Sequence, residues 1–239
     1  TTSTVSTTVT EDADATVVSL SVSSAAVTEG TSVTYTVSVA NAVTGTPLAV
    51  TLNNGQIITI PVGQTSATGP AIILRPDDAL VQGTTTTTAS ITSTSGGNYE
   101  ALNTSATAVT TVTDGPATAT TLTLSSATNG AAITEGGTIT YTATVGTAVT
   151  GSPLVVTLSN GATITIPVGQ TTANSAAIPV RGDDVYVQGT QSLAAVTVSS
   201  TSGGNYEGLT PVGTVNNTVV DDADATVVTL TASAGSVPE

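Results

Sequence analysis

The chain has 239 residues and a net charge of −14, from 16 acidic and 2 basic residues, and it contains no Cys, His, Met, Trp or Phe. That balance disfavours nucleic acid and anionic lipid as partners, both of which call for a basic surface, and no apolar run approaches the roughly 20 residues that span a bilayer. Ser-His-Asp and Cys-His catalysis, zinc centres and disulfides all lack their residues, so no enzyme is expected and a metal held by oxygen is the remaining cross-brace.

Although the sequence is rich in Thr, Ser, Ala and Gly, its 38% hydrophobic content is patterned, which predicts a folded chain. Residues 1–15 read as the last strand of a preceding repeat and a linker carrying Asp12 and Asp14. Strand A is predicted over 16–24, followed by a Thr28-Glu29-Gly30 turn. In strand B, 31–39, Val33, Tyr35, Val37 and Val39 alternate with Thr34, Thr36 and Ser38, as expected when one face is buried. Strands C (47–52) and D (56–60) flank Asn54-Gly55, which reads as a type I′ hairpin. Strand E (70–74) leads into Arg75 and the Asp77-Asp78 pair, and F covers 84–93. The turn Gly96-Gly97-Asn98-Tyr99-Glu100 follows, and G runs over 105–113 into Asp114.

The whole pattern then recurs. Tyr35 matches Tyr141, Asn54-Gly55 matches Asn160-Gly161 and Asp77-Asp78 matches Asp183-Asp184 at an offset of 106, which becomes 107 from Ser93 onward. Val9 to Val18 reappears as Val219 to Val228, so the sequence reads as a segment of a longer array. The expected boundaries are a first repeat over 16–114, a second over 115–221, and over 222–239 a linker with the first strand of a third. Seven short strands in about 100 residues, without a helical period, predict an all-β fold: tandem immunoglobulin-like, seven-stranded antiparallel β-sandwich domains in an extended array.

The acidic residues recur with the repeat and fall in loops, not on strand faces. With seven strands running alternately down and up, the A–B, C–D and E–F turns share the pole where G exits. That pole is expected to gather Glu29, Asp77, Asp78 and Asp114 in the first repeat. In the second it gathers Glu135, Asp183, Asp184, Asp221, Asp222 and Asp224, and the linker residues Asp12 and Asp14 play the same part at the start of the chain. Carboxylates so crowded repel one another, whereas Ca²⁺ takes six to eight oxygens in a flexible geometry, so these residues are the candidate calcium ligands. Solvated acidic loops are the plainer reading, and it leaves the acid-free strand faces unexplained. Glu100 and Glu207, at the other pole, read equally as further ligands or as parts of a glycine-rich turn. Arg75 and Arg181, the two cations, are expected to balance charge.

The motifs Thr28-Glu29-Gly30, Asn54-Gly55, Pro76-Asp77-Asp78, Gly96 to Glu100 and Asp12-Ala13-Asp14-Ala15-Thr16 together resemble the extender repeats of giant type I-secreted RTX adhesins of Gram-negative bacteria, over the whole chain. The set Glu29, Asp77, Asp78 and Asp114 is also similar to the Calx-β arrangement of calcium ligands. The resemblance implies an extracellular, cell-surface stalk of calcium-stiffened tandem repeats, whose partners are neighbouring repeats of the same chain and which holds a distal binding domain away from the cell for adhesion or biofilm formation. The Gly-Gly-x-Gly-x-Asp nonapeptide of the family's secretion region is absent. Two alternatives stand beside the stalk: a fibre subunit that assembles by strand exchange, where the stalk segment would be monomeric, and a surface- or ice-binding module using the run Thr84 to Thr88, which the second copy interrupts at Thr190-Gln191-Ser192-Leu193-Ala194.

Overall fold

A computed structural model describes residues 3–10, 12, 14–231, 233 and 235. Glu11 and Glu239 lie outside them. The chain folds into two compact all-β units, one comprising Thr1–Asp78 and Gln82–Pro116, the other Ala79–Val81 and Ala117–Glu239. Residues 3–10 and 221–231 form no strand, since neither stretch finds a ladder partner.

The first unit contains β1 (Ala15–Val22), β2 (Ala26–Thr28), β3 (Ser32–Val33), β4 (Tyr35–Val39), β5 (Leu48–Leu52), β6 (Ile57–Ile60), β7 (Ser66–Thr68), β8 (Ile72–Ile73), β9 (Thr85–Ser95), β10 (Ala101–Asn103) and β11 (Thr107–Thr113). They form one sheet in the order β10-β1-β4-β7 and a second in the order β2-β11-β9-β5-β6, with β3 and β8 paired separately. These are the seven expected strands with A, B, E and G each broken in two. Strand A changes sheets between β1 and β2, so its halves lie parallel to β10 and β11, and the other pairings are antiparallel. The alternation in strand B holds: Val33, Tyr35, Val37 and Val39 are all buried in the core with Val18, Leu48 and Ile60.

The C–D turn differs from its expected type. Among the described residues only glycines have positive φ, so Asn54 cannot occupy a type I′ turn. The Gly55 amide bonds to the Leu52 carbonyl at 3.0 Å, the Leu52 amide bonds to the Gln56 carbonyl at 2.9 Å, and Gly55 takes φ 83°. This is a three-residue loop, a type I turn closed by a left-handed glycine.

The second unit repeats the plan with β12 (Ala119–Ser125), β13 (Ala132–Thr134), β14 (Thr138–Ile139), β15 (Thr142–Val145), β16 (Leu154–Leu158), β17 (Thr163–Ile166), β18 (Thr172–Asn174), β19 (Ile178–Pro179), β20 (Gln191–Ser192), β21 (Val198–Ser202), β22 (Gly208–Val212) and β23 (Thr218–Val220). Its core is built from Leu122, Tyr141, Leu154, Leu158, Ile164 and Ile166. The extra residue behind the change of offset falls inside strand F. Thr86 opposite Thr111 corresponds to Ser192 opposite Thr218, and Leu52 opposite Ile91 corresponds to Leu158 opposite Val198. Between β20 and β21 the ladder is reduced to one bridge, Val196 to Val215, and the five-stranded sheet of the first unit becomes two three-stranded pieces, β13-β23-β20 and β17-β16-β21. The uninterrupted Thr run of β9 thus has no counterpart here. Ala79–Val81 also pairs within this unit: Leu80 bridges Tyr206, the Val81 amide bonds to the Asn205 carbonyl at 2.8 Å, and the Glu207 amide bonds to the Ala79 carbonyl at 3.0 Å.

A candidate metal centre of carboxylates

The Thr-Glu-Gly step is built to bring three loops together. In the first unit the Glu29 amide bonds to the Thr113 carbonyl at 2.9 Å and the Gly30 amide to the Arg75 carbonyl at 2.9 Å, tying the A–B turn to the exit of G and to the start of the E–F loop. Gly30 has φ 73°, and a Cβ there would lie 3.0 Å from that of Asp77, so only glycine admits the Asp pair so closely. The second unit uses the same device: Glu135 to Val220, Gly136 to Arg181, and Gly136 against Asp183.

The guanidinium is aimed at the Glu and the exit Asp. Arg75 donates through Nε to Glu29 Oε2 at 2.9 Å, through Nη2 to Asp114 Oδ1 at 2.9 Å and through Nη1 to the Gly83 carbonyl at 2.9 Å. The Glu29 side chain is 0% exposed. Asp114 Oδ2 accepts the Gln82 amide at 2.8 Å, and Asp78 accepts from the Gln82 side chain. Asp77 Oδ1 lies where a Cβ on Gly115 would come within 3.2 Å. Glu29, Asp77 and Asp114 are thus gathered as expected, with Arg75 among them and Asp78 turned to bracing the loop. No three of the first unit's own described carboxylates form a compact metal-sized group. Asp12 and Asp14 are exposed, and the Asp14 amide donates to Glu100 Oε2 at 2.7 Å.

In the second unit the pole is more open to a cation. Oxygens of Glu135, Asp183, Asp222 and Asp224 all lie within 4.8 Å of one another, Glu135 buried and the other three exposed. Asp184 is outside this group: Oδ1 accepts the Tyr186 amide at 2.8 Å and Oδ2 accepts from the Gln188 side chain. Asp221 sits by Arg181, whose Nη2 is 3.5 Å from its Oδ1 and 2.8 Å from Glu135 Oε2. Four of the six carboxylates expected at this pole therefore converge. Gln82 and Gln188, which brace the loops, carry no sequence signal beyond their shared spacing from the Asp pair.

Crowding shows in the proton affinities. Burial pushes the Glu135 carboxyl above the ordinary carboxylate range against the opposing pull of Arg181. Desolvation, then the carboxylates of Asp222, Asp183, Asp221 and Asp184, pushes Asp224 up as well. A carboxyl that binds its proton more tightly folded than unfolded stabilises the fold below the unfolded value, and that contribution is lost as pH rises through the raised folded value. Without metal, the second unit is therefore expected to melt at a higher temperature at pH 5 than at pH 7. Calcium is expected to reverse that order, because protons compete for the same oxygens. Calorimetric melting at both pH values, with chelator and with calcium, checks this; a metal-free melting temperature that falls on acidification overturns it.

The Gly-Gly-Asn-Tyr-Glu turns make packing and capping contacts. Gly96 and Gly97 have φ 77° and 67°, and a Cβ on Gly97 would lie 2.9 Å from the Tyr99 ring. Tyr99 donates its hydroxyl to the Asn41 carbonyl at 2.7 Å and Tyr206 to the Thr147 carbonyl at 2.6 Å. Glu207 Oε2 accepts the Thr118 amide at 2.6 Å, as Glu100 accepts that of Asp14.

A family model described as the LapA domain matches residues 14–115 and again residues 118–223. No curated protein sequence matches the chain. Among solved structures, a tetra-tandem repeat in the extending region of a large adhesion protein is 19% identical over 86% of this chain and 49% of its own length, with a TM-score of 0.35. The Escherichia coli adhesin FdeC is 16% identical over 84% of this chain and 63% of its own length, with a TM-score of 0.28. The chain spans less than two thirds of either. On its two successive matches, the chain belongs to the LapA domain family.

Proposed function

We propose that the chain is a structural, non-enzymatic extender segment of a bacterial surface adhesin, lying outside the cell, in which calcium stiffens tandem repeats that project a distal binding domain in adhesion or biofilm formation. Successive matches to one family support the tandem reading, and the shared motifs support the RTX-type and Calx-β-like comparison. The observation that carries calcium is the group Glu135, Asp183, Asp222 and Asp224 within 4.8 Å. The donor set fits the ion: it is all oxygen, it includes a buried carboxylate, and it carries more negative charge than Arg181 offsets. Asp12, Asp14, Glu29, Asp77, Asp78, Asp114, Asp184 and Asp221 complete the proposed ligand set, filled out where further repeats adjoin.

If calcium binds the folded state alone, a site held at a hundred times its dissociation constant contributes about 2.7 kcal/mol. Calorimetric titration of Asp183→Asn is expected to show at least about a tenfold loss of calcium affinity, about 1.4 kcal/mol, with a smaller loss for Asp184→Asn. Melting unaltered by chelator, or equal losses in the two variants, overturns the assignment.

A further inference from the structure

The E–F loop carries a three-residue apolar segment in each copy, and the two stand in different surroundings. Ala79-Leu80-Val81 is engaged, with two backbone hydrogen bonds and a bridge to Asn205–Glu207, and the Asn205 side chain donates to the Val81 carbonyl. Ala79 is 8% exposed and Val81 48%. At the same offset of 106, Val185, Tyr186 and Val187 are 55%, 73% and 97% exposed. Three consecutive large apolar residues at such exposure are costly on a soluble surface unless they meet a partner. The target shows the complementary difference: Asn205 and Glu207 are part-covered, whereas Asn98 and Glu100, one repeat earlier, are exposed.

We infer that Val185–Val187 is a docking strand whose occupant is the Gly-Gly-Asn-Tyr-Glu turn of another copy of this repeat. The Val187 amide donates to the Asn carbonyl of that turn, and the Val185 carbonyl accepts the amide of its Glu. The chain itself supplies the template, since Val81 and Ala79 make these two bonds to a turn of the same sequence. Main-chain pairing of an extended segment fixes register, and tethering in a tandem chain raises the effective concentration enough for so small a contact to persist. Specificity comes from geometry: the double glycine at φ 74° and 64° sets the course of the turn into its Asn and Glu, and Asp184 Oδ1 takes the Tyr186 amide. The inference rests on the tandem reading but not on calcium.

Amide hydrogen exchange tests it. The 239-residue chain is compared with one continued after Asp224 by a copy of residues 15–116, in register with the repeated linker, each with calcium and with chelator. The Val187 amide is expected to exchange at least about tenfold more slowly in the lengthened chain, with or without calcium. Val187→Pro removes the donor at an exposed position and is expected to abolish protection of the added copy's Glu amide without lowering the melting temperature of the second unit. Equal Val187 exchange in the two chains, or protection that survives Val187→Pro, overturns the docking. Either result leaves the calcium dependence of melting to be judged separately.

Discussion

Replacing Arg75 by Met is expected to destabilise the first unit by about 3–5 kcal/mol, the cost of leaving one member of a buried ion pair behind. The Glu29 side chain is 0% exposed and its partner guanidinium 13% exposed, so water cannot replace the lost charge. The same side chain also holds Asp114 and the Gly83 carbonyl, and its removal frees the exit strand and the E–F loop together. Arg75→Met with Glu29→Gln is expected to recover most of the loss, because an amide buried there carries no charge. Urea unfolding of the single and double variants makes the comparison; a single-variant loss below about 1 kcal/mol means that the pair is not the clasp of this pole.

Gly203→Ala is expected to cost about 3 kcal/mol, combining left-handed strain with a backbone collision. Gly203 has φ 74°, and a Cβ built there falls 2.2 Å from the Pro153 carbonyl oxygen. Gly161→Ala is the control: φ is 83° but nothing lies within 4 Å of the added carbon, so it isolates the conformational cost, about 1 kcal/mol. The difference in melting temperature between the two variants measures the close approach alone. Equal losses would mean that the F–G turn relaxes away from Pro153.

The strands were legible because period two has one physical cause, and Tyr35, Val37, Ile139 and Ala143 all point where alternation places them. The C–D turn departs from the type its dipeptide predicts for a reason outside that dipeptide. Asn53 bonds across to strand F, from Nδ2 to the Thr88 carbonyl at 2.9 Å and from the Ser90 amide to Oδ1 at 3.2 Å, and this draws it out of the C–D ladder into a longer loop. Strand E begins earlier than expected, at Ser66, because the extended course of Ser66–Thr68 comes from pairing with β4 and not from local propensity. At the site, converging loops followed from strand parity. What parity lacks is direction: it placed Asp183 and Asp184 together, whereas neighbouring side chains diverge and only Asp183 reaches the other carboxylates. The clasp by Arg75 joins residues 46 apart and has no sequence signature beyond charge.

The added residue in strand F bears on how the units carry tension. Six residue pairs hold β11 to β9 in the first unit, whereas β23 is held to β20 by two, with one further bridge at Val196. When a terminal strand is pulled along its length, its hydrogen bonds are loaded in shear and divide the force among them. The last strand of the second unit has fewer bonds to divide it. A pull along the chain is therefore expected to be met unequally, with the second unit the first to lengthen, so that a single inserted residue makes one of two similar repeats the more extensible one.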